Sequence, residues 1–290
     1  NIIVQQYFKP WADETARGGL KTVPEIPAGP FDIVLALAPR QHDEALHVMA
    51  AALSALKTDG TLICAAANTE GGKRLKKDAK YLGFSCAEES KHKSRVIWGV
   101  KHTIDEAHCA EATANGGYRK VCGGRFVSRP GVFSWDRVDT GSALLANSLP
   151  AGALAGRGAD FGCGFGFLSL HARAQNLAIT EIFCIDADAR AVESCRRNIT
   201  DSRPDHFIWE DITRGNRNLP QDLDWIIMNP PFHEGAHATP EAGMAFIRTA
   251  RECLRPGGQL WMVANTHLPY EKTLAEQFSS VKKICEKNGY

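Results

Sequence analysis

The feature that most constrains the fold is an alternation of short apolar runs with longer helix-compatible runs from Gly152 onward. This rhythm is typical of a doubly wound α/β sheet with parallel strands, because a crossover helix has to pack on the sheet between successive buried strands. It predicts strands at 156–161, 181–185, 206–210, 225–228 and 259–264. It predicts helices at 167–175, 187–198, 242–254 and 270–278.

A partial second copy of this pattern lies in the first hundred residues. FDIVLALAPRQHDEA (31–45) parallels LDWIIMNPPFHEGAH (223–237), and ALKTDGTLICAAAN (55–68) parallels CLRPGGQLWMVAN (253–265). A generic likeness between strand-helix-turn-strand units would also produce such a match, but two copies of one fold explain it most simply. We therefore predict an α/β protein of two tandem Rossmann-like domains, 1–118 and 119–290.

The regions around these copies carry two further expectations. Residues 102–137 are rich in Gly, Arg and small side chains, which is typical of an interdomain connection that passes over the surface. Position 1 is not Met, and a sheet of this kind usually closes with an antiparallel hairpin after its last helix. We therefore expect that the chain is truncated at both ends.

Composition limits the class of protein. The 290 residues are 44% hydrophobic and 23% charged, as in ordinary packed globular proteins. Nine cysteines occur singly, without a C-x-x-C pair, which favours reduced thiols in the cytoplasm over disulfides or cysteine-bound zinc. No apolar run reaches the roughly 18 residues of a membrane span, and no signal segment opens the sequence, so we expect a cytoplasmic protein without a membrane partner.

A glycine-rich turn predicts a cofactor site. ADFGCGFGFLS (159–169) places Gly162, Gly164 and Gly166 between a predicted strand and a predicted helix, where a ligand can approach the backbone. Asp186 ends the next strand and can accept both ribose hydroxyls of an adenosine ligand, while Asp211 follows the third strand and is placed for an adenine edge. Helix capping is the alternative for both aspartates. The spacing differs from the G-x-G-x-x-G of nicotinamide cofactors, so S-adenosylmethionine is the better ligand.

NPPFHEGAH (229–237) has two incompatible interpretations. As H-E-x-x-H, it would place His233 and His237 one helical turn apart as zinc ligands, but two prolines precede that segment, one glycine interrupts it, and helix formation is costly. As N-P-P-F, it would end an apolar strand with the Asn229 side-chain oxygen and the Pro230 carbonyl as acceptors for an amino group. We favour the second interpretation and predict no metal; an ordinary Asn-Pro turn is the remaining alternative.

Several motifs together resemble a known family. DFGCGFG, Asp186, NPPFH and VANTHLPY (263–270) are similar to class I S-adenosylmethionine-dependent methyltransferases, and among them to the small-subunit ribosomal RNA methyltransferase C type, guanine-N2 enzymes of 16S rRNA. PGVFSWDRVDTGSALL (130–145) matches a segment that this family carries before its glycine loop. The resemblance implies that Asp139, Gly141 and Ser142 help to close the cofactor pocket. It also implies an inactive first domain and an active second one.

From these observations we expect methyl transfer from S-adenosylmethionine to guanine N2 in 16S rRNA, free or in the small ribosomal subunit, by a monomer. The predicted catalytic residues are Asn229, Pro230, Pro231 and Phe232, with Phe232 stacking on the base. The predicted cofactor site is Asp139, Gly141, Ser142, Asp160, Gly162, Gly164, Gly166, Asp186, Asp211 and Asn229. The alternatives are a large-subunit guanine-N2 enzyme, an N6-adenine or protein-glutamine methyltransferase, and a non-catalytic RNA-binding module that retains the cofactor pocket.

The amino-terminal domain is predicted to bind RNA. It has Leu37, Ala38, Pro39 and Arg40 where the second copy has the N-P-P-F residues. It therefore lacks the asparagine side chain that is predicted to bind an amino group. Residues 73–95 carry eight Lys or Arg against three Asp or Glu, although a solvated helix face would explain them too. Since a loop that handles one base adds little affinity, phosphate contacts have to supply the rest. We predict those contacts at Lys73, Arg74, Lys76, Lys77, Arg119, Lys120 and Arg125.

Overall fold

The computed structural model describes residues 2–200, 205–231, 233–234, 237–238 and 240–290, with the backbone alone at 233–234 and 237–238. The elements of the first half, in chain order, are β1 (Ile3–Gln5), α1 (Lys9–Arg17), β2 (Lys21–Val23), β3 (Phe31–Leu37), α2 (His42–Ala55), β4 (Leu56–Ala67), α3 (Leu75–Tyr81), β5 (Ala87–Lys91), β6 (Ser94–Val100) and α4 (Glu106–Gly116). Two sheets result, a parallel pair β1–β2 and a four-stranded sheet in the order β3-β4-β6-β5.

The second half contains a larger sheet. Its elements are β7 (Arg119–Val121), β8 (Phe126–Ser128), α5 (Thr140–Ser148), β9 (Gly156–Phe161), α6 (Phe167–Gln175), β10 (Ile179–Asp186), α7 (Ala189–Asn198), β11 (Asp205–Trp209), β12 (Leu223–Met228), β13 (His233–Glu234), β14 (His237–Ala238), α8 (Pro240–Cys253), β15 (Leu254–Met262) and α9 (Tyr270–Gln277). Five strands pair in the order β11-β10-β9-β12-β15. All four pairings are parallel, which confirms the predicted doubly wound α/β sheet.

Buried apolar strands explain why this sheet lies at the centre of the second half. Phe161, Trp225 and Ile226 are at most 1% exposed, and helices cover both faces of the sheet. The predicted elements agree with the observed ones to within a few residues, apart from β15, which begins at Leu254 instead of 259. The difference arises because Leu223 pairs with Leu254 before a register shift, after which Trp225 pairs with Gln259.

The register of the strands confirms the internal repeat. In the first half Phe31 pairs with Leu56, the register then shifts, and Ile33 pairs with Thr61. The corresponding pair β12–β15 shifts at the same place, and each pair encloses a 14-residue helix, α2 or α8. The two halves therefore share a strand-helix-strand unit, as the aligned sequences predict.

The first copy lacks part of the sheet within the described residues. In the second half β9 pairs with the edge of β12 and leads into the glycine loop. In the first half no described strand pairs with the equivalent edge of β3, where Ile33, Leu35 and Leu37 are 61%, 74% and 82% exposed. This part of the chain thus has no counterpart of the glycine loop, which agrees with a degenerate first copy.

The predicted surface connection, residues 102–137, is more regular than expected. It contains the helix α4, which Asp105 caps by accepting a hydrogen bond from His108 N at 2.9 Å. α4 packs on α2 so closely that a Cβ atom at Gly116 would lie 2.3 Å from His47 Cβ. The glycine and arginine content of residues 102–137 predicts a surface loop. The N-cap at Asp105 and the alanine content of α4 instead stabilise a packed helix.

The two halves are joined by contacts distant in sequence. Lys9 N donates to Ala187 O at 2.8 Å and Ala189 N donates to Tyr7 O at 2.9 Å, so the first residues lie against the second sheet. Arg190 on α7 forms a buried ion pair with Glu44 on α2. Among the described residues there is no helix of the length and apolar character that crossing a bilayer requires.

Candidate functional site

The glycine loop connects β9 to α6 and is shaped by three glycines. Gly162, Gly164 and Gly166 have φ angles of 78°, 54° and 89°, a region that side chains disfavour. A Cβ atom at Gly164 would have no atom within 4 Å, so this part of the loop borders open space. A Cβ atom at Gly166 would lie 2.7 Å from Cys195 Sγ, so that glycine permits close packing of α7. The loop thus offers bare backbone at the carboxyl edge of the sheet.

Asp186 ends β10 beside this loop. Its Oδ2 accepts a hydrogen bond from Gly164 N and its Oδ1 accepts one from Asp188 N, both at 2.9 Å. Asp188, and not Asp186, caps α7 by accepting from Arg190 N at 2.9 Å. Burial raises the pKa of Asp186 to about 6. The capping alternative therefore fails for Asp186, whose carboxylate retains acceptor capacity next to the open side of the loop.

Two other predicted cofactor residues have structural partners. Asp160 is fully buried beneath the loop, where its Oδ2 accepts from Ser169 N at 3.0 Å and Ser169 Oγ at 2.6 Å. Burial raises the pKa of Asp160 to about 7. Asp211 caps a short 3-10 turn through Thr213 N at 3.0 Å and pairs with Arg214 Nε at 3.0 Å. The geometry thus favours the capping interpretation for Asp211, and Asp160 supports the loop from below.

Asn229 directly follows β12, at the same edge of the sheet. A Cβ atom at Gly162 would lie 3.9 Å from Asn229 O, so the glycine loop and the Asn-Pro-Pro segment are neighbours. Pro230 is buried and Pro231 is exposed. Phe232, the predicted stacking residue, lies outside the described residues. The site therefore combines a bare backbone loop with a polar side chain at the ends of two adjacent strands.

The described backbone between this segment and α8 is extended. His233–Glu234 and His237–Ala238 form an antiparallel pair, with His233 opposite Ala238. Zinc binding by H-E-x-x-H requires both histidines on one face of a helix, so this backbone does not provide the geometry of that interpretation.

Asp139, Gly141 and Ser142 lie at the N-cap and in the first turn of α5, and Asp139 and Ser142 contact Asn229. Asn229 Nδ2 donates to Asp139 Oδ2 at 2.8 Å and to Ser142 Oγ at 3.0 Å. Asp139 also caps α5 by accepting from Ser142 N at 2.9 Å, and Gly141 is buried between them. The family resemblance implies cofactor contacts for all three residues, and the observed partner of Asp139 and Ser142 is the amide of Asn229. Sequence reasoning missed this contact because 90 residues separate its partners.

The predicted RNA-binding residues fall into two groups. Lys73, Lys76, Lys77, Lys120 and Arg125 are exposed, and Arg125 Nε also donates to Cys122 O at 3.2 Å. The other two, Arg74 and Arg119, are half-buried and pair with carboxylates of the chain. Arg74 pairs with Asp78 at 3.9 Å and donates to Arg40 O at 3.3 Å, while Arg119 pairs with Asp43 at 3.3 Å. The exposed residues are thus the stronger candidates for phosphate contacts.

In the first copy the corresponding edge lacks these groups. Leu37 ends β3 and is 82% exposed. By the matching strand registers, in which Ile33 corresponds to Trp225, Leu37 stands where the second copy has Asn229, so an alkyl side chain replaces the amide.

The fold and the site together define the class of protein. A parallel sheet with a glycine loop after its first strand, an aspartate ending its second and Asn-Pro-Pro after its fourth is the arrangement of a class I methyltransferase. The methyltransferase small domain family matches residues 123–290.

Similar proteins identify the family more closely. Ribosomal RNA small subunit methyltransferase C of Shewanella amazonensis is 31% identical over 272 residues, covering 90% of this chain and 76% of that protein. The protein of the same name from Acinetobacter baumannii is 28% identical over 277 residues, covering 92% and 79%. The chain therefore belongs to the ribosomal RNA small subunit methyltransferase C family.

A solved structure shares the fold of nearly the whole chain. It is a T. thermophilus 16S rRNA N2 guanine-1207 methyltransferase in complex with AdoMet and guanosine. The TM-score is 0.80 at 24% identity, with 98% of this chain and 79% of that chain covered. The similarity extends across both halves, so the tandem arrangement is that of a known protein.

Proposed function

We propose that this protein transfers a methyl group from S-adenosylmethionine to the exocyclic N2 of a guanine in 16S rRNA. The observation that carries the proposal is the position of Asn229, which lies next to the glycine loop and has both amide hydrogens bound by Asp139 and Ser142. Its carbonyl oxygen is then the group that can accept a hydrogen from an amine. The family's name and the guanosine bound in the T. thermophilus relative agree with such a substrate.

The residues of the second half fit the cofactor. The open side of Gly164 leaves room for a ligand against the backbone, and Asp186 lies where ribose hydroxyls of an adenosine can donate to it. When bound, S-adenosylmethionine supplies the methyl group, whose bond to sulfur breaks as the bond to the guanine nitrogen forms. The chain itself contributes an acidic ribose acceptor and a glycine turn that admits the ligand.

Catalysis by these residues is mainly a matter of positioning. Asn229 Oδ1 and the Pro230 carbonyl hold the amine hydrogens, and holding them directs the nitrogen lone pair toward the methyl group. Pro230 and Pro231 stiffen the loop, and we assign stacking on the base to Phe232. The methylated nitrogen loses its proton to solvent, so no dedicated base is needed. A base has to leave its stack to reach such a site, and an unpaired or flipped guanine is the substrate form.

We assign residues 119–290 to catalysis and 1–118 to RNA recognition, in a cytoplasmic monomer. Lys73, Lys76 and Lys77 support the assignment because they form an exposed basic cluster on a copy that lacks the Asn-Pro-Pro residues. The contacts of residues 7–9 with Ala187 and Ala189 hold the two parts together near the cofactor site. Such an arrangement lets one part bind phosphates while the other handles a single base.

The proposal is tested by methyl transfer from tritiated S-adenosylmethionine. The substrates are 16S rRNA that lacks the modification, assembled small subunits and 23S rRNA, followed by nucleoside analysis. We expect N2-methylguanosine from 16S rRNA. Label in N2-methylguanosine from 23S rRNA alone would indicate a large-subunit enzyme, and label in N6-methyladenosine or in protein would indicate the related amine or glutamine chemistries. If the protein binds cofactor and RNA but transfers no methyl group, it is a non-catalytic RNA-binding module that retains the cofactor pocket.

A further inference from the structure

Asn229 is held by two neighbours on a different element. Its Nδ2 lies 2.8 Å from the Oδ2 atom of Asp139, the N-cap of α5, and 3.0 Å from the Oγ atom of Ser142 in the first turn of that helix. Ser142 is buried, and Asp139 is fixed in turn because its Oδ2 accepts from Ser142 N at 2.9 Å. Two side chains and one backbone group thus form a closed set of hydrogen bonds around one amide nitrogen.

These contacts determine which end of the amide faces a substrate. An asparagine amide has two hydrogens to donate and one oxygen that accepts. An ionised carboxylate can only accept, so the NH2 end has to face Asp139. With the amide reversed, two oxygens would face each other and the NH2 group would point toward the substrate. A site of that kind would select a carbonyl group instead of an amine.

We propose that Asp139 and Ser142 are positioning residues that lock the amide of Asn229 with its oxygen toward the substrate, and so make the site specific for an amino group. This inference rests on the proposed function. It adds the reason why Asn229, whose amide could present either its oxygen or its NH2 group to a substrate, presents the oxygen. Hydrogen bonding to a carboxylate also polarises the amide, which makes its oxygen a stronger acceptor. Asp139 itself acts through Asn229.

The main test is Asp139→Asn, which keeps the size of the side chain and the ability to cap α5 but removes the obligatory acceptor. We expect kcat to fall about tenfold or more, as is found when residues that orient functional side chains are replaced. KM for RNA and the dissociation constant for S-adenosylmethionine are expected to stay within about twofold. Ser142→Ala removes one of the two contacts of the Asn229 amide and is expected to lower kcat less than Asp139→Asn does. Unchanged kcat in Asp139→Asn would overturn the proposal.

An exchange of the two residues separates positioning from general damage. Asn229→Asp alone places two carboxylates side by side, and one has to bind a proton, so its activity should depend strongly on pH. In the double variant Asp139→Asn/Asn229→Asp, the introduced asparagine can donate to the introduced aspartate. We expect at least a tenfold recovery of kcat over Asn229→Asp and a flatter pH profile. No recovery would contradict the proposed orientation.

Asp105→Asn is the matched control. Asp105 caps α4 as Asp139 caps α5, by accepting from a backbone NH at 2.9 Å, but it lies in the first half of the chain, away from Asn229. Its replacement should change thermal stability to a similar extent and leave kcat unaltered. A weaker cofactor affinity in Asp139→Asn, with kcat unchanged at saturation, would instead support the pocket-closing role implied by the family.

A spectroscopic measurement keeps this inference distinct from the proposed function. The side-chain NH2 resonances of Asn229 in nitrogen-15-labelled protein report hydrogen bonding without any turnover. We expect them to shift in Asp139→Asn and Ser142→Ala and to stay in place in Asp105→Asn. Absence of methyl transfer in the unaltered protein would refute the function alone, whereas an unmoved Asn229 resonance in Asp139→Asn would refute the positioning role alone.

Discussion

Replacing Arg190 with methionine is expected to weaken the junction between the two halves of the chain. Arg190 and Glu44 form an ion pair whose side chains are only 7% and 6% exposed. Arg190 Nη2 also donates to Gly131 O at 3.2 Å and pairs with Asp188 at 2.7 Å, and the guanidinium lies 3.5 Å from the centre of the Tyr7 ring. One side chain therefore joins α2, the segment before α5, and the first residues of the chain to α7.

The magnitude follows from the burial of Glu44. Removing one partner of a buried ion pair leaves an uncompensated charge, which costs about 3–5 kcal/mol. At roughly 2–4 °C per kcal/mol for a chain of this size, the melting temperature of Arg190→Met should fall by about 10 °C. The double variant Glu44→Gln/Arg190→Met removes both charges of the ion pair. It is expected to recover more than half of the fall in melting temperature.

The effect should depend on pH. Burial raises the pKa of Glu44, although the charge of Arg190 acts to lower it. Without Arg190 the pKa rises further above its value in the unfolded chain. A group with a raised pKa binds its proton more tightly in the folded state, so its favourable contribution is present at low pH and is lost as pH rises through the folded pKa. Arg190→Met should therefore be closest to the parent at acidic pH, where Glu44 is protonated in the folded and the unfolded chain, and furthest from it at a pH above the raised pKa of Glu44.

Urea and thermal unfolding, followed by circular dichroism and tryptophan fluorescence, measure these differences. Trp209 is a local probe, since its Nε1 donates to Tyr7 O at 3.0 Å. Arg196→Met is the control on the same helix, because Arg196 is 54% exposed and its pair with Glu193 is worth about 0–1 kcal/mol. The reasoning would be refuted if Arg190→Met and Arg196→Met lost equal amounts of stability, or if the loss of stability in Arg190→Met did not depend on pH.

Three further predictions concern the site. Asn229→Ala should lower turnover about a hundredfold with unchanged cofactor affinity, as when one preorganised polar group is removed elsewhere; near-normal turnover would reject its role. Asp186→Ala should weaken S-adenosylmethionine binding by about 1.5–3 kcal/mol, measured by calorimetry, since the ribose loses a charged acceptor, and unchanged affinity would remove Asp186 from the site. Reversing Lys73, Lys76 and Lys77 to Glu should weaken RNA binding and reduce its salt slope by about one unit per lost phosphate contact; if the same reversal at Lys272, Lys282 and Lys287 has an equal effect, general charge and not a docking surface explains it.

Patterns that act over a few residues could be interpreted from the sequence. Strand and helix periodicity located the elements of the second sheet, since burial imposes that periodicity on the side chains. The three glycines of the loop could be assigned because only glycine adopts their positive φ angles without cost. The repeat was recognisable because two copies of a strand-helix-strand unit preserve their apolar positions and their turn.

Contacts that cross the chain were decided by the tertiary structure alone. Asp186 and Asp211 both follow strands and look alike in sequence, yet Asp186 binds the glycine loop and Asp211 caps a turn and pairs with Arg214. The locking of Asn229 by Asp139 joins positions 90 residues apart, and the pair of Arg190 with Glu44 joins positions 146 apart. Local sequence carries no periodic signal for such pairs, because they depend on how α5 and α2 are placed against the second sheet by packing of the whole chain.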